Sequence, residues 1–300
     1  MNRLGSYSKQ AIDFSRPFMP EQLTPLFYTN AYQSLSAPQR LRYNQLNALY
    51  FNEQIMFFER ALAHNIIGQL LLEPLPAELK RSLHQFLTEE EQHSAMFLGL
   101  NQRCAPTLYA RQAFHFIQVP RMTSRLLNLL SRRPRWFPLF IWLMHLQEER
   151  ALFYGRAFLQ AAVELEPNFV ATQRKHLADE IGHVRWDEAL LDWLWPRTNP
   201  ILRRLNARFL GWMIGNYFSA PKRSALRVLA ALAQEFPELC AKENELRRQL
   251  LALGDDPRYR RFLYSPENVP ATIERFNAWP EFASLAKVIP GYVPSAMLAT

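Results

Sequence analysis

Apolar residues along this chain recur in steps of three and four rather than two, over segments far longer than a strand, and that pattern predicts helices. The first starts at SAPQR, where Ser36 can cap and Pro38 suits the first turn, and runs through LRYNQLNALYFNEQIMFFERALAHNIIGQLL to about Leu72. EPLPAE at 73–78 interrupts it, and a second helix follows through LKRSLHQFLTEEEQHSAMFLGLNQ. A third is predicted over about 108–131, closed by RRP, and a fourth from around Pro138 through LFIWLMHLQEERALFYGRAFLQAAVEL. LEPN at 165–168 turns the chain into a fifth helix, FVATQRKHLADEIGHVRWDEALLDWLW, which ends at Pro196. Two or three further helices fill 197–253, before a less regular, proline-containing tail.

The expected class is therefore all-α. No sharp change of composition divides the chain, so a single domain over 1–300 is expected. Within it, 1–35 reads as an arm, 36–196 as a helical bundle and 197–300 as additional helices and tail. Apolar residues make up 49% of the chain, enough for a full core.

Composition narrows the setting. The start, MNRLGSYSKQAIDF, lacks the apolar run of a signal peptide, and FPLFIWLMHL at 137–146 is too short to span a bilayer. Cys104 and Cys240 are the only cysteines, so no disulfide framework is implied and a reducing cytoplasm is the expected location. The net charge of +8 is concentrated in SRRPR at 131–135, LRRLNAR at 202–208, APKRSALR at 220–227 and DPRYRRF at 256–262. Such patches fit an acidic partner or an anionic, carrier-bound substrate, although a solvated face is the commoner meaning. The interleaved aromatic and basic pattern of a nucleic-acid platform is lacking, so no nucleic-acid partner is expected.

The chemistry lies in a repeat. The chain contains two Glu-x-x-His steps, Glu90–His93 and Glu180–His183, each on the second helix of a predicted hairpin. Glu59 precedes Glu90 by 31 residues, and Glu149 precedes Glu180 by 31. The midpoints fall at the two turns, so antiparallel pairing brings Glu59, Glu90, Glu149 and Glu180 to one level of a four-helix bundle, with His93 and His183 a turn away. A glutamate from each of two helices and Glu-x-x-His from the other two is the di-iron or di-manganese carboxylate arrangement. Four carboxylates in an apolar bundle cannot all stay ionised uncompensated, and two cations supply the compensation. Oxygen-rich ligands with imidazoles suit iron or manganese better than zinc.

Two assignments have rivals. Glu53 competes with Glu59, and Glu148 with Glu149; the matched spacing selects Glu59 and Glu149. Glu89 and Asp179, each preceding a ligand glutamate, are expected to accept the outer N–H of a ligand histidine, and Asp187 is a third candidate for that role. In HLADEIGH, at 176–183, His176 shares a stripe with Glu180 and His183, which makes it a candidate seventh ligand. His145 shares a face with Glu149 and is expected near the site.

The order Glu59, Glu90-x-x-His93, Glu149, then His176-x-x-x-Glu180-x-x-His183 resembles the p-aminobenzoate N-oxygenase (AurF-type) family of ferritin-like di-iron oxygenases, over roughly residues 40–195. The resemblance implies a ferritin-like four-helix bundle and a seven-ligand site whose extra histidine is His176. It also implies two iron ions, O₂ as co-substrate and oxidation of an amine nitrogen to a hydroxylamine, nitroso or nitro product. The competing readings are a di-iron hydroxylase or desaturase acting on carbon, and a metal-dependent hydrolase. A small-molecule substrate is implied. No flavin or nicotinamide fingerprint is present, so an external electron donor is expected, and a homodimer is the default assembly. An apolar substrate pocket is expected around FIWLMHL and ALFYGRAF.

Overall fold

A computed structural model describes residues 10–218 and 223–294. Residues 1–9, and residues 220–222 of the basic stretch 220–227, lie outside the described residues. Among the described residues there is no strand. The first long helix, α1 (Ala37–Phe58), passes without a break into a π-helical turn, Glu59–Ala63, and continues as α2 (His64–Leu70). Ser36 opens α1 with a full capping box: its hydroxyl accepts the Gln39 N–H, and the Gln39 side chain accepts the Ser36 N–H. The chain turns at 71–76 into α3 (Ala77–Cys104), as the EPLP break predicts.

The second hairpin repeats this plan. Helix α5 (Leu139–Gln160) turns at 161–166 into α6 (Pro167–Leu194), whose start is capped by the Glu166 carboxylate on the N–H groups of Asn168 and Phe169. The hairpins pack through α1 against α3, α3 against α6 and α5 against α6, giving the four-helix core of a ferritin-like bundle.

Two predicted elements come out differently. The helix expected over 108–131 is only α4 (Arg121–Ser131), because the chain ahead of it is committed elsewhere. The N–H groups of His115, Phe116 and Ile117 all donate to the Glu53 carboxylate at 2.7 to 3.1 Å, so they cannot serve a helical ladder. The tail is more regular than expected. Helices α7 (Pro200–Met213), α8 (Arg223–Glu235) and α9 (Glu243–Ala252) are followed by α10 (Pro257–Leu263), α11 (Pro270–Asn277) and a 3-10 segment, Pro280–Lys287. Each of α10, α11 and that segment has a proline in its first turn, where the missing N–H costs nothing.

The extra helices thicken the bundle rather than forming a separate layer: α8 packs on α1, and α11 on α5. The FIWLMHL segment is core. Trp142 is buried against Trp195, Phe276 and Phe282, and Ile141, Leu143, Met144 and Leu146 are fully buried around it. The described part of the arm, residues 10–35, lies against the bundle, with Asn44 holding the N–H groups of Phe18 and Met19, and Arg16 reaching the carbonyls of Val163 and Leu165 at the second turn.

Candidate metal centre

The π turn sets the site. It closes α1 with a wider loop of backbone, a distortion that recurs where a helix must aim a functional side chain, and Glu59 is its first residue. The Glu59 carboxylate is buried; Oε2 accepts a hydrogen bond from the Ser94 hydroxyl at 2.7 Å, while Oε1 lies 3.7 Å from His93 Nδ1 and 3.6 Å from His176 Nε2. Glu90 Oε1 lies 3.7 Å from His93 Nδ1 and 3.1 Å from His183 Nδ1. Glu180 Oε1 is 2.8 Å from His176 Nε2, 3.4 Å from His183 Nδ1 and 3.6 Å from His93 Nδ1.

Ligand-capable atoms thus converge in two overlapping groups, Glu90, His93, Glu180 and His183 in one and Glu59, His93 and His176 in the other, all within 4.8 Å of one another in each group. Both groups are buried.

The histidines are held from behind. His93 Nε2 meets the Asp179 carboxylate at 3.0 Å, and His183 Nε2 meets Glu89 at 3.0 Å. Each carboxylate comes from the opposite hairpin, so the two halves orient one another's imidazoles. These bonds turn Nδ1 of both rings into the cluster and leave it free to bind a cation. Lys175 holds Asp179 at 2.8 Å, and Gln85 holds Glu89 at 2.8 Å.

Helix α5 supplies a different residue from the one the spacing selects. Glu148, not Glu149, is brought to the cluster, with Oε2 3.9 Å from His183 Nδ1. Glu149 turns the other way and accepts the N–H groups of Ala271 and Thr272, at 2.7 and 2.8 Å, at the start of α11. Two facts defeat the 31-residue match. The π turn at Glu59 has no counterpart on α5, so equal spacings do not mean equal faces. And α11, outside both hairpins, offers orphan backbone donors that a carboxylate satisfies. Because α5 is buried nearly all round, its hydrophobic pattern gives no signal that would separate the two neighbours.

Other candidates sort clearly. Glu53 accepts the Tyr109 hydroxyl as well as the three N–H groups noted above, and its oxygens are engaged there. Asp187 and His145 are fully buried, and none of their polar side-chain atoms has a hydrogen-bond partner. Neither joins the two groups of converging ligand atoms. Ser94, which fixes Glu59, carries no sequence signal. The clefts of about 310 Å³ beside Arg204, Arg208 and Glu281, and about 190 Å³ beside Trp193 and Arg197, do not touch the cluster, and the aromatic segment of α5 forms core where a pocket was expected.

The electrostatics of the cluster suit a bound cation. Glu59 Oε1, both oxygens of Glu90 and of Glu180, and Nδ1 of His93 and His183 are buried without a hydrogen-bond partner, a cost that folded proteins rarely accept in one place. Burial, with Glu90 nearby, drives the Glu59 carboxyl up to about 7. Burial and Glu180 drive Glu148 well above the usual carboxylate range. Burial opposes charge on His93, yet the carboxylates of Asp179, Glu90, Glu180 and Glu59 carry it up to about 10. Glu180 is also opposed by burial but is held ionised by His176 and His183. Protons are doing in this site what divalent or trivalent cations do better.

The p-aminobenzoate N-oxygenase AurF family matches the chain over residues 7–251. The chain belongs to that family. This is a family of di-iron N-oxygenase enzymes, and the match extends the resemblance read from residues 40–195 into the arm and the extra helices. Comparison with curated proteins gives no match. AurF-type enzymes use two iron ions and O₂, and the buried glutamate and histidine groups of this chain are of a kind that can hold metal. No helix among the described residues is long and apolar enough to cross a membrane.

Proposed function

We propose that this protein is a single-domain, cytoplasmic di-iron oxygenase that converts the nitrogen of a small-molecule amine to a hydroxylamine, nitroso or nitro group. The observation that carries the reading is the set of buried carboxylates and imidazoles converging from three helices, most with unpartnered oxygens or nitrogens, with Glu148 of a fourth beside them, in a member of this family. Glu59, Glu90, His93, Glu148, His176, Glu180 and His183 are the residues that would hold the metal pair. Two unpaired cysteines fit a reducing compartment.

When bound, two irons supply the electrons that reduce O₂ and the oxidising equivalent that reaches the amine. The chain's own part is positional. Asp179 and Glu89 hold the outer N–H of His93 and His183, fixing the tautomer that presents Nδ1. Ser94 fixes one oxygen of Glu59 and leaves the other free. His176, deprotonated on binding a metal, would add a neutral donor beside Glu59 and Glu180, enriching the ligand set without adding negative charge. The apolar packing of α1, α3, α5 and α6 excludes water from the centre.

The test is metal analysis of protein produced with iron, followed by reduction, exposure to O₂ and a screen of aryl and alkyl amines for N-oxygenated products. About two irons per chain with amine-dependent O₂ consumption supports the reading. Oxygenation of carbon alone, or hydrolysis without O₂ uptake, refutes it.

A further inference from the structure

Helix α4 stands out from the rest of the fold. It packs its Leu127 and Leu130 side onto the π turn that carries Glu59, and Asn128 meets Asn65 of α2 at 3.2 Å. Its other side is apolar and open: Met122 is 83% exposed, Leu126 53% and Leu129 52%, a stripe at helical spacing, with Trp136 64% exposed just beyond. An apolar stripe left in water beside a functional helix marks an interaction surface.

Charge says what covers it. No Asp or Glu occurs between Glu91 and Glu148, while Arg121, Arg125, Arg132 and Arg133 frame the stripe, all exposed. None of these four has an ion-pair partner among the described residues; Arg135 next to them is taken by Glu73. Apolar residues and a tryptophan ringed by unpaired arginines are the composition of a protein-docking patch for an acidic partner.

Position says what the partner does. Electron transfer weakens steeply with distance, and this patch lies on the outer side of the backbone turn that presents Glu59 to the cluster. We propose that α4 and the Arg132–Trp136 corner are the docking surface for an acidic one-electron carrier protein that reduces the metal pair. Each docking passes one electron from a reduced carrier to one ferric ion, so two dockings return a diferric pair to the diferrous state while two carriers are oxidised. No bond to the protein forms or breaks. The electron-transfer step rests on the di-iron reading; the docking surface stands without it.

Metal-free full-length protein is titrated with an acidic [2Fe–2S] ferredoxin, and with a basic c-type cytochrome as the opposite-charge probe, by calorimetry. The expected result is association with the ferredoxin and not the cytochrome, weakening about tenfold between about 50 and about 200 mM salt. The triple variant Arg125→Glu, Arg132→Glu, Arg133→Glu should weaken it at least about tenfold, and Leu126→Ser with Leu129→Ser severalfold, with helical circular dichroism unchanged. With iron loaded, ferredoxin oxidation in stopped flow should slow in the same order while reduction by dithionite stays as in the parent. Association that survives charge reversal, absence of association with the ferredoxin, or α4-dependent binding to anionic phospholipid vesicles instead overturns the proposal. Failure to take up iron counts against the di-iron reading alone, because the metal-free binding series still decides the surface.

Discussion

Glu89 and His183 meet at 3.0 Å although 94 positions separate them, and Asp179 and His93 repeat the contact in the opposite sense across 86. Neither hairpin can therefore orient its own histidine; each imidazole is aligned by a carboxylate on the other. Such outer partners typically account for about 10–100-fold in metal affinity. Asp179→Asn and Glu89→Gln should each weaken iron binding by about that factor while leaving the helices intact, and competition with a chelator measures it. The double variant should lose more than either alone, since both histidines then turn freely.

The neighbours Glu148 and Glu149 should behave as different kinds of residue. Glu148→Ala should cut bound metal sharply with little loss of stability, because it removes a buried carboxyl whose ionisation burial and Glu180 already disfavour. Glu149→Ala should keep metal but loosen α11, uncapping the N–H groups of Ala271 and Thr272 at a cost of about 0.5–2 kcal/mol. Metal content and thermal unfolding of the two variants separate the roles. Equal metal loss in both would return the assignment to the spacing argument.

Those two glutamates also mark how far the sequence could be read. The hairpins, the Ser36 cap, the two Glu-x-x-His steps and the pairing of Glu89 and Asp179 with histidines all follow from local periodicity and antiparallel pairing. A helix face on an all-buried helix does not, since hydrophobic pattern is silent where every side is apolar. Nor does a π turn, which shifts the register after Glu59 without any distinctive residue type. The structured tail was hidden for a third reason: short helices that start at prolines, such as α10 and α11, are stabilised by tertiary packing and too brief to show a period.

Metal-free protein should lose stability as pH rises. Glu59 titrates at about 7 in the folded chain against 4.5 for a free glutamate, so the folded state holds an extra proton across that interval, and stability falls from pH 4.5 to about 7. His93 is raised from 6.5 to about 10; its contribution is complete below 6.5 and is lost as pH passes through about 10. The two slopes have the same sign. Bound metal displaces these protons, so its affinity should rise with pH. The Tm difference between loaded and metal-free protein, at fixed free metal, is expected to grow from about pH 5.5 to about pH 8.5. A constant difference would mean that neither group is a ligand.

Glu53 and Glu59 offer the last contrast. Both are buried on one continuous helix, yet Glu53 is engaged by the Tyr109 hydroxyl and the N–H groups of His115, Phe116 and Ile117, whereas Glu59 keeps Oε1 unpartnered. Glu53→Ala leaves the Tyr109 hydroxyl and those N–H groups with nothing to accept them and should cost about 3 kcal/mol or more, since each buried donor left unsatisfied costs about 1–3 kcal/mol. The segment 105–120 should loosen first, seen as faster amide hydrogen exchange at His115 to Ile117. Glu59→Ala removes a carboxyl that burial already disfavours and frees only the Ser94 hydroxyl, so the metal-free protein should be nearly as stable as the parent, or more so above pH 7. It should also bind less iron. If Glu53→Ala instead lost metal while keeping its stability, the anchor and the ligand would have to exchange places.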